Sequence, residues 1–177
     1  MIDSVPVIKM SVEQKRFCAE KMAKGGQALH KWAVYFGNKK KRSFRADLFK
    51  AENNPALMAK IEEKIPQDRL PEFREERQAI FDVRSTKYPE LAYHTVEYAV
   101  LGGHSLLARK HAEKAFTSRN RESNLKFQDF LNEAYLALVE GIYGFQKPEL
   151  QFTTYVWRIV ANRMKFVRNQ SNTFGGL

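Results

Sequence analysis

The chain has 177 residues, 44% of them apolar, with 30 lysines and arginines against 20 acids and a formal net charge of +10. That apolar share is sufficient for a packed core and excludes a disordered coil, and the length suits one domain or one domain with an appendage. The positive excess favours a polyanionic partner, nucleic acid before an acidic membrane surface, over the plain alternative of a basic protein with no such partner.

Helix signals recur from end to end, and strand signals are poor. Ser11 followed by Gln14 reads as a capping box, and Gly25-Gly26 as the stop of that first helix. A second helix is predicted over Gln27 to Phe36, ending near Gly37. The basic run Lys39-Lys40-Lys41-Arg42 is placed in a turn, and Ser43 caps a short helix through Phe49. Asn54-Pro55 pairs an N-cap with proline at the first helical position and opens a helix to about Lys64. Pro71 opens another through about Val83, and Pro89 a third to about Leu101. Gly102-Gly103 then separates that helix from one over Ser105 to Phe116.

Thr117 to Asn124 is polar and reads as a loop before a helix over Phe127 to Gly144. A connection containing Pro148 leads to the last helix, from about Thr153 to Asn169, and Ser171 to Leu177 reads as a frayed tail. The fold class is therefore all-α, a multi-helix bundle. Neither repeats nor low-complexity segments stand out.

The two C-terminal helices carry opposite charge. Phe127 to Phe145 contains Asp129, Glu133 and Glu140 and no lysine or arginine. Phe127, Phe130, Leu131, Ala134, Leu138 and Ile142 recur at three and four and form its core face, widened by Leu136 and Val139. Asp129, Asn132 and Glu133 cluster at the N-terminal end, where acids also suit the helix dipole. By themselves they read as a capped, solvated helix start.

Thr153 to Asn169 holds Arg158, Arg163, Lys165 and Arg168 and no acid. Its buried stripe is Val156, Ile159, Val160, Met164 and Val167. Arg158, Asn162 and Lys165 are spaced by four and three and share another face. Cations there pair with phosphates, and asparagine reads a base edge. Tyr155 and Trp157 lie beside this face, as stacking rings for unpaired bases or as core residues. Cys18, the one cysteine, reads as a structural thiol. His30, His94, His104 and His111 are scattered, without metal-ligand spacing. The N-terminal MIDSVPVIKM lacks the apolar run of a signal peptide, and no stretch approaches the roughly 20 apolar residues of a membrane span. A cytoplasmic location is expected, with no membrane partner, cofactor or metal. No nucleophile and base are arranged for catalysis, so no enzymatic activity is expected.

The run from Phe127 to Phe145 resembles, without a gap, the second conserved region of bacterial RNA polymerase sigma factors, with its pattern F-x-D-L-I-Q-E-G-x-I-G-L-x-x-A-V-x-x-F. Phe152-Thr153-Thr154-Tyr155 is similar to the family's F-S-T-Y, and Val156 to Arg163 to the L-Y-R-I-A-R-N of its compact members. Leu106-Leu107 through Ala112 and Phe116 resembles the helix preceding these two, so the likeness covers about residues 89–170. It implies a three-helix core in the C-terminal half, a promoter-recognition and melting domain over 89–170, a basic helical segment of unknown role over 1–88, and a tail over 171–177.

The resemblance further implies a role for each matching position. Asp129, Asn132 and Glu133 would dock on the clamp coiled coil of the β′ subunit of core polymerase. Thr154 and Tyr155 would line the pocket for the flipped adenine of the −10 element. Asn162, with Lys165 one turn on, would meet the upstream base pair of that element, with Arg158 and Arg163 on backbone phosphates. Trp157, Arg168 and the loop residue Lys147 complete the DNA-binding set.

The likeness departs from the family in three places. The loop from Phe145 to Phe152 is shorter than in primary factors and keeps only Lys147 of their basic residues. Arg158 and Ile159 stand where a tryptophan pair wedges the fork. The module is followed by only seven or eight residues, without the helix-turn-helix domain that reads the −35 element. In that layout it is similar to short sigma factors of tailed phages, which rely on the −10 element and a coactivator; a longer factor cut before that domain would look the same. The basic run at Lys39 to Arg42 would supply DNA affinity in its place, or be a solvated loop. Two other functions stay open: a polymerase-independent helical DNA-binding regulator, and an adaptor whose acidic helix binds a basic partner.

Overall fold

The computed structural model describes residues 5–38, 40–88 and 91–173. Among them the chain forms seven helices: α1 (Val12–Tyr35), α2 (Lys41–Ala51), α3 (Pro55–Glu62), α4 (Leu70–Ser85), α5 (Val96–Thr117), α6 (Phe127–Gly144) and α7 (Phe152–Thr173). A short antiparallel ribbon, β1 (Lys87–Tyr88) with β2 (Leu91–Thr95), joins α4 to α5. The architecture is an all-α multi-helix bundle. No helix among the described residues is long and apolar enough to cross a membrane.

The start of α1 follows the sequence. Ser11 Oγ accepts from the Gln14 amide at 3.2 Å, and Gln14 Oε1 accepts from the Ser11 amide at 2.7 Å. The helix ends at Gly37, whose φ of +65° suits glycine. The Gly37 amide donates to Val34 and the Asn38 amide to Ala33, which satisfies the last carbonyls of the helix.

The expected stop at Gly25-Gly26 does not occur: the two predicted helices are one. These glycines lie in the middle of α1, where neighbouring backbone comes too close for a side chain. A Cβ on Gly25 would lie 2.9 Å from the Ala79 carbonyl oxygen of α4, and one on Gly26 would overlap the Phe145 carbonyl oxygen. The price of glycine inside a helix, about 1 kcal/mol, is offset by burial of both neighbouring faces.

The second glycine pair behaves likewise. Gly102 and Gly103 sit inside a continuous α5, under the segment before α1. A Cβ on Gly102 would lie 2.6 Å from Ile8 Cδ1, and one on Gly103 would overlap Met10 Cε. The Ile8 amide also donates to the Gly102 carbonyl at 3.0 Å. Pro89, read as opening a helix, lies outside the described residues; α5 starts instead at Val96, with Thr95 Oγ1 accepting from the Tyr98 amide.

Other expectations need smaller corrections. Lys41 and Arg42 belong to the first turn of α2 rather than to a turn, and Ser43 lies inside that helix. Lys39 lies outside the described residues. Asn54 caps α3 with its side chain, as its pairing with Pro55 predicts. Helix α7 continues to Thr173, with Ser171 buried, so 171–173 is not tail. Residues 174–177 lie outside the described set.

One core runs through the bundle. Trp32 of α1 is fully buried, edge-on to Phe73 of α4 at 4.9 Å, with its Nε1 donating to Glu76. Small residues buried on α5, among them Ala99, Ala108 and Ala112, allow neighbouring helices to approach closely. Phe130, Leu138 and Ile142 of α6 and Val156 and Val160 of α7 fill the space between them. The same cluster includes Met22 and Leu29 of α1, so residues on both sides of position 88 share it. Cys18 is buried there, and desolvation pushes its thiol up to about 11, so it stays protonated at neutral pH.

Ion pairs fix the N-terminal helices. Glu62 of α3 accepts from both Arg74 and Arg77 of α4. Those guanidiniums hold its carboxyl down to about 2 against opposing desolvation. Its contribution to stability is therefore complete above the ordinary pKa near 4.5 and is lost as pH falls toward 2.

Two tests follow from this packing. Gly26→Ala is expected to destabilise the chain by about 3 kcal/mol, since backbone rather than a side-chain tip must move, read as a lower denaturant midpoint. Glu62→Gln is expected to lower thermal stability at pH 7, and the gap to wild type should narrow between pH 5 and pH 2. A gap independent of pH would assign the loss to packing alone.

Candidate nucleic-acid interface

Helices α6 and α7 bury the apolar stripes that the sequence predicts, and α6 also buries Tyr135, Ala137, Gly141 and Tyr143 outside its predicted stripe. Phe130, Leu131, Ala134, Leu138 and Ile142 are buried on α6, with Phe127, Leu136 and Val139 half-buried. Val156, Val160, Met164 and Val167 are buried on α7, with Ile159 half-buried. Gly141 lets Val156 approach; a Cβ there would lie 3.0 Å from Val156 Cγ2.

This seating sorts the four cations of α7. Arg163 faces α6 and bridges Glu133 at 2.9 Å and Glu140 at 2.5 Å. All three side chains are only 26–38% exposed. Glu140 also receives Arg42 of α2 at 3.5 Å, so a chain of alternating charge links α2, α6 and α7. Arg163 thus has two partners within the fold, and these compete with its expected place on DNA phosphates. Glu133 shares the same bridge, with 38% of its side chain still exposed. The physical reason is proximity: the fourth turn of α7 lies over the acids of α6, and unpaired charges in that partly buried seam would be costly.

The rest of the acidic cluster divides in two. Asp129 is exposed, and its carboxylate accepts from the Lys126 amide at 2.7 Å, which caps the start of α6. Asn132 is exposed and accepts from Gln128 at 2.9 Å.

On the outer face of α7, Thr154, Arg158, Asn162 and Lys165 are all exposed, and Arg168 is half-buried. Lys147 is exposed on the preceding loop. The two rings differ. Tyr155 is half-buried, with its ring 5.3 Å from Phe145 and 6.2 Å from Phe152. Burial raises its phenol, and Gly144 lies beneath its hydroxyl. Trp157 is 52% exposed and makes an edge contact with His111 of α5 at 5.4 Å. The more accessible stacking surface is therefore Trp157.

Between α5 and α7 this pair borders a cleft of about 210 Å3. Ala115, Ala161 and Met164 supply apolar lining, and Lys114, Lys165 and Arg168 supply cations. None of the residues lining it is acidic. His111 and Lys114 were absent from the sequence-derived site. Their spacing of three placed them on one side of a helix; which side faced α7 was not legible. Phe166, 59% exposed on α7, was also missed because it falls outside the apolar stripe.

Comparison with protein-family models, with curated proteins and with solved structures gives no match.

The division of the cations is testable. Arg163→Ala is expected to cost about 1–3 kcal/mol of stability, because it takes the bridging cation from Glu133 and leaves Glu140 with the longer bridge to Arg42. Arg158→Ala should change stability by under about 0.5 kcal/mol. Equal denaturation midpoints for the two variants would show that the bridge contributes nothing.

Proposed function

We propose that this chain is a sigma-like transcription initiation factor, binding core RNA polymerase through the start of α6 and the opened −10 strand through the outer face of α7. One observation carries the reading: an exposed tryptophan stands beside Arg158, Asn162 and Lys165 on a helix without acids, the combination that stacks bases and neutralises their backbone. The net charge of +10 agrees with a polyanionic partner. The order of an acidic helix, a short loop and a basic helix is that of the resembled family.

In this reading Asp129 and Asn132 face the β′ clamp, since Glu133 is engaged by Arg163. Thr154 and Tyr155 form the firmer wall of the base site, with Tyr155 braced by Phe145 and Phe152. Trp157, on the opposite flank of α7 beside His111, supplies a separate and more open ring. Unstacking costs a few kcal/mol per base, and a stacking partner returns about 1–3 kcal/mol. The protein would hold the open strand while the polymerase performs the chemistry. A −10-reading module of this kind acts in the bacterial cytoplasm, in a phage-infected cell for the short factors, with a coactivator as further partner.

A second reading is a polymerase-independent reader of duplex DNA. It is favoured by the exposed Arg158 and Asn162 at helical spacing, which suits base edges in a major groove.

Core-polymerase capture and strand binding separate the two. The initiation-factor reading expects capture of core polymerase by the wild type and its loss in Asn132→Lys, a change that leaves the cap at Asp129 in place. It also expects Trp157→Ala to weaken binding of single-stranded −10 DNA about ten- to hundredfold. Duplex binding without polymerase capture would favour the second reading, and neither activity would overturn both.

A further inference from the structure

We infer that the cleft between α5 and α7 seats one nucleotide of a single DNA strand, its base against Trp157 and its phosphate among Lys114, Lys165 and Arg168. The inference rests on the strand-binding reading and adds a second wall to it, contributed by a helix that the sequence-derived site left out.

The cleft is chemically one-sided. Its charged residues are all cationic, in a chain where many other surface cations are paired: Lys31 with Glu72 and Glu76, Arg74 and Arg77 with Glu62, Arg109 with Glu113. Three cations gathered around one opening repel one another, and an anion relieves that repulsion.

The guest must also be partly apolar and flat. Ala115, Ala161 and Met164 present no hydrogen-bonding side chain, and Trp157 borders the opening with half its surface in solvent. His111 props the indole edge-on at 5.4 Å. Burial, followed by the nearby Lys114 and Lys110 charges, lowers the pKa of this histidine, so at neutral pH it braces the ring as a neutral imidazole. A volume of about 210 Å3 falls below the roughly 300 Å3 at which sites for larger ligands begin, and suits a single base.

The geometry also gives the strand a path. Arg158, Asn162 and Lys165 lie on the outer face of α7, and Lys165 belongs to both that face and the cleft. A backbone crossing α7 at Lys165 would place successive phosphates on the outer face and in the cleft.

The test uses the full chain, a short single-stranded oligodeoxynucleotide, and its duplex for comparison. Trp32 is fully buried and Trp157 is not, so quenching of intrinsic emission by the strand reports Trp157. Quenching is expected for the single strand. Lys114→Gln and Arg168→Gln should each flatten the salt dependence of single-strand affinity by about 0.7 in logarithmic slope. His111→Ala should weaken binding about three- to tenfold through loss of the braced ring.

Tight binding of the strand with unchanged emission and a wild-type slope in Lys114→Gln would overturn the cleft assignment. The strand-binding reading would survive that result if Arg158→Gln still flattened the slope. A wild type that binds no single strand would sink both.

Discussion

Arg163 lies in the seam between two helices of opposite charge, and its bridge to Glu133 and Glu140 fixes how they face each other. Apolar stripes bring α6 and α7 together, but stripes of Val, Leu and Ile tolerate rotation and sliding. A guanidinium between two carboxylates tolerates much less, because a misplaced helix would leave partly buried charges without partners. With Arg163 turned inward, Arg158 and Lys165 face outward and Arg168 turns toward α5. The candidate binding surface is what remains of α7 once this seam is satisfied.

The aromatic residues follow the same division. Tyr155 lies on the flank that leans on Phe145 and Phe152, where its ring adds to the core and only part of it reaches solvent. Trp157, two residues on, falls on the flank toward α5 and meets His111 edge-on. Two positions along a helix amount to about 200° of rotation, enough to turn neighbouring rings to opposite sides. The accessible stacking ring is thereby joined to the cations of α5, giving a binding surface that spans two helices.

Close approach of backbone governs the other half of the molecule. Gly25 and Gly26 let α1 lie against α4 and against the chain leaving α6, and Gly102 and Gly103 admit the segment before α1 onto α5. Through these contacts the N-terminal helices share one core with the C-terminal three. Strain introduced at α1 would be felt at Phe145, and through Phe145 at Tyr155.

The sequence by itself determined what local rules decide: the Ser11 and Asn54 caps, the end of α1 at Gly37, the bounds of α6, and the buried stripes of α6 and α7. It also established the opposite charges of the last two helices and the exposure of Arg158, Asn162 and Lys165. It misplaced the paired glycines because a glycine admitted for close packing looks, in one dimension, like a glycine that ends a helix. It could not allocate Arg163, Glu133 or Trp157, since a residue's periodicity gives its side of a helix but not the neighbour on that side. Only the tertiary structure decided those partners, because Coulombic pairing and ring contacts act over a few ångströms between residues that lie far apart along the chain.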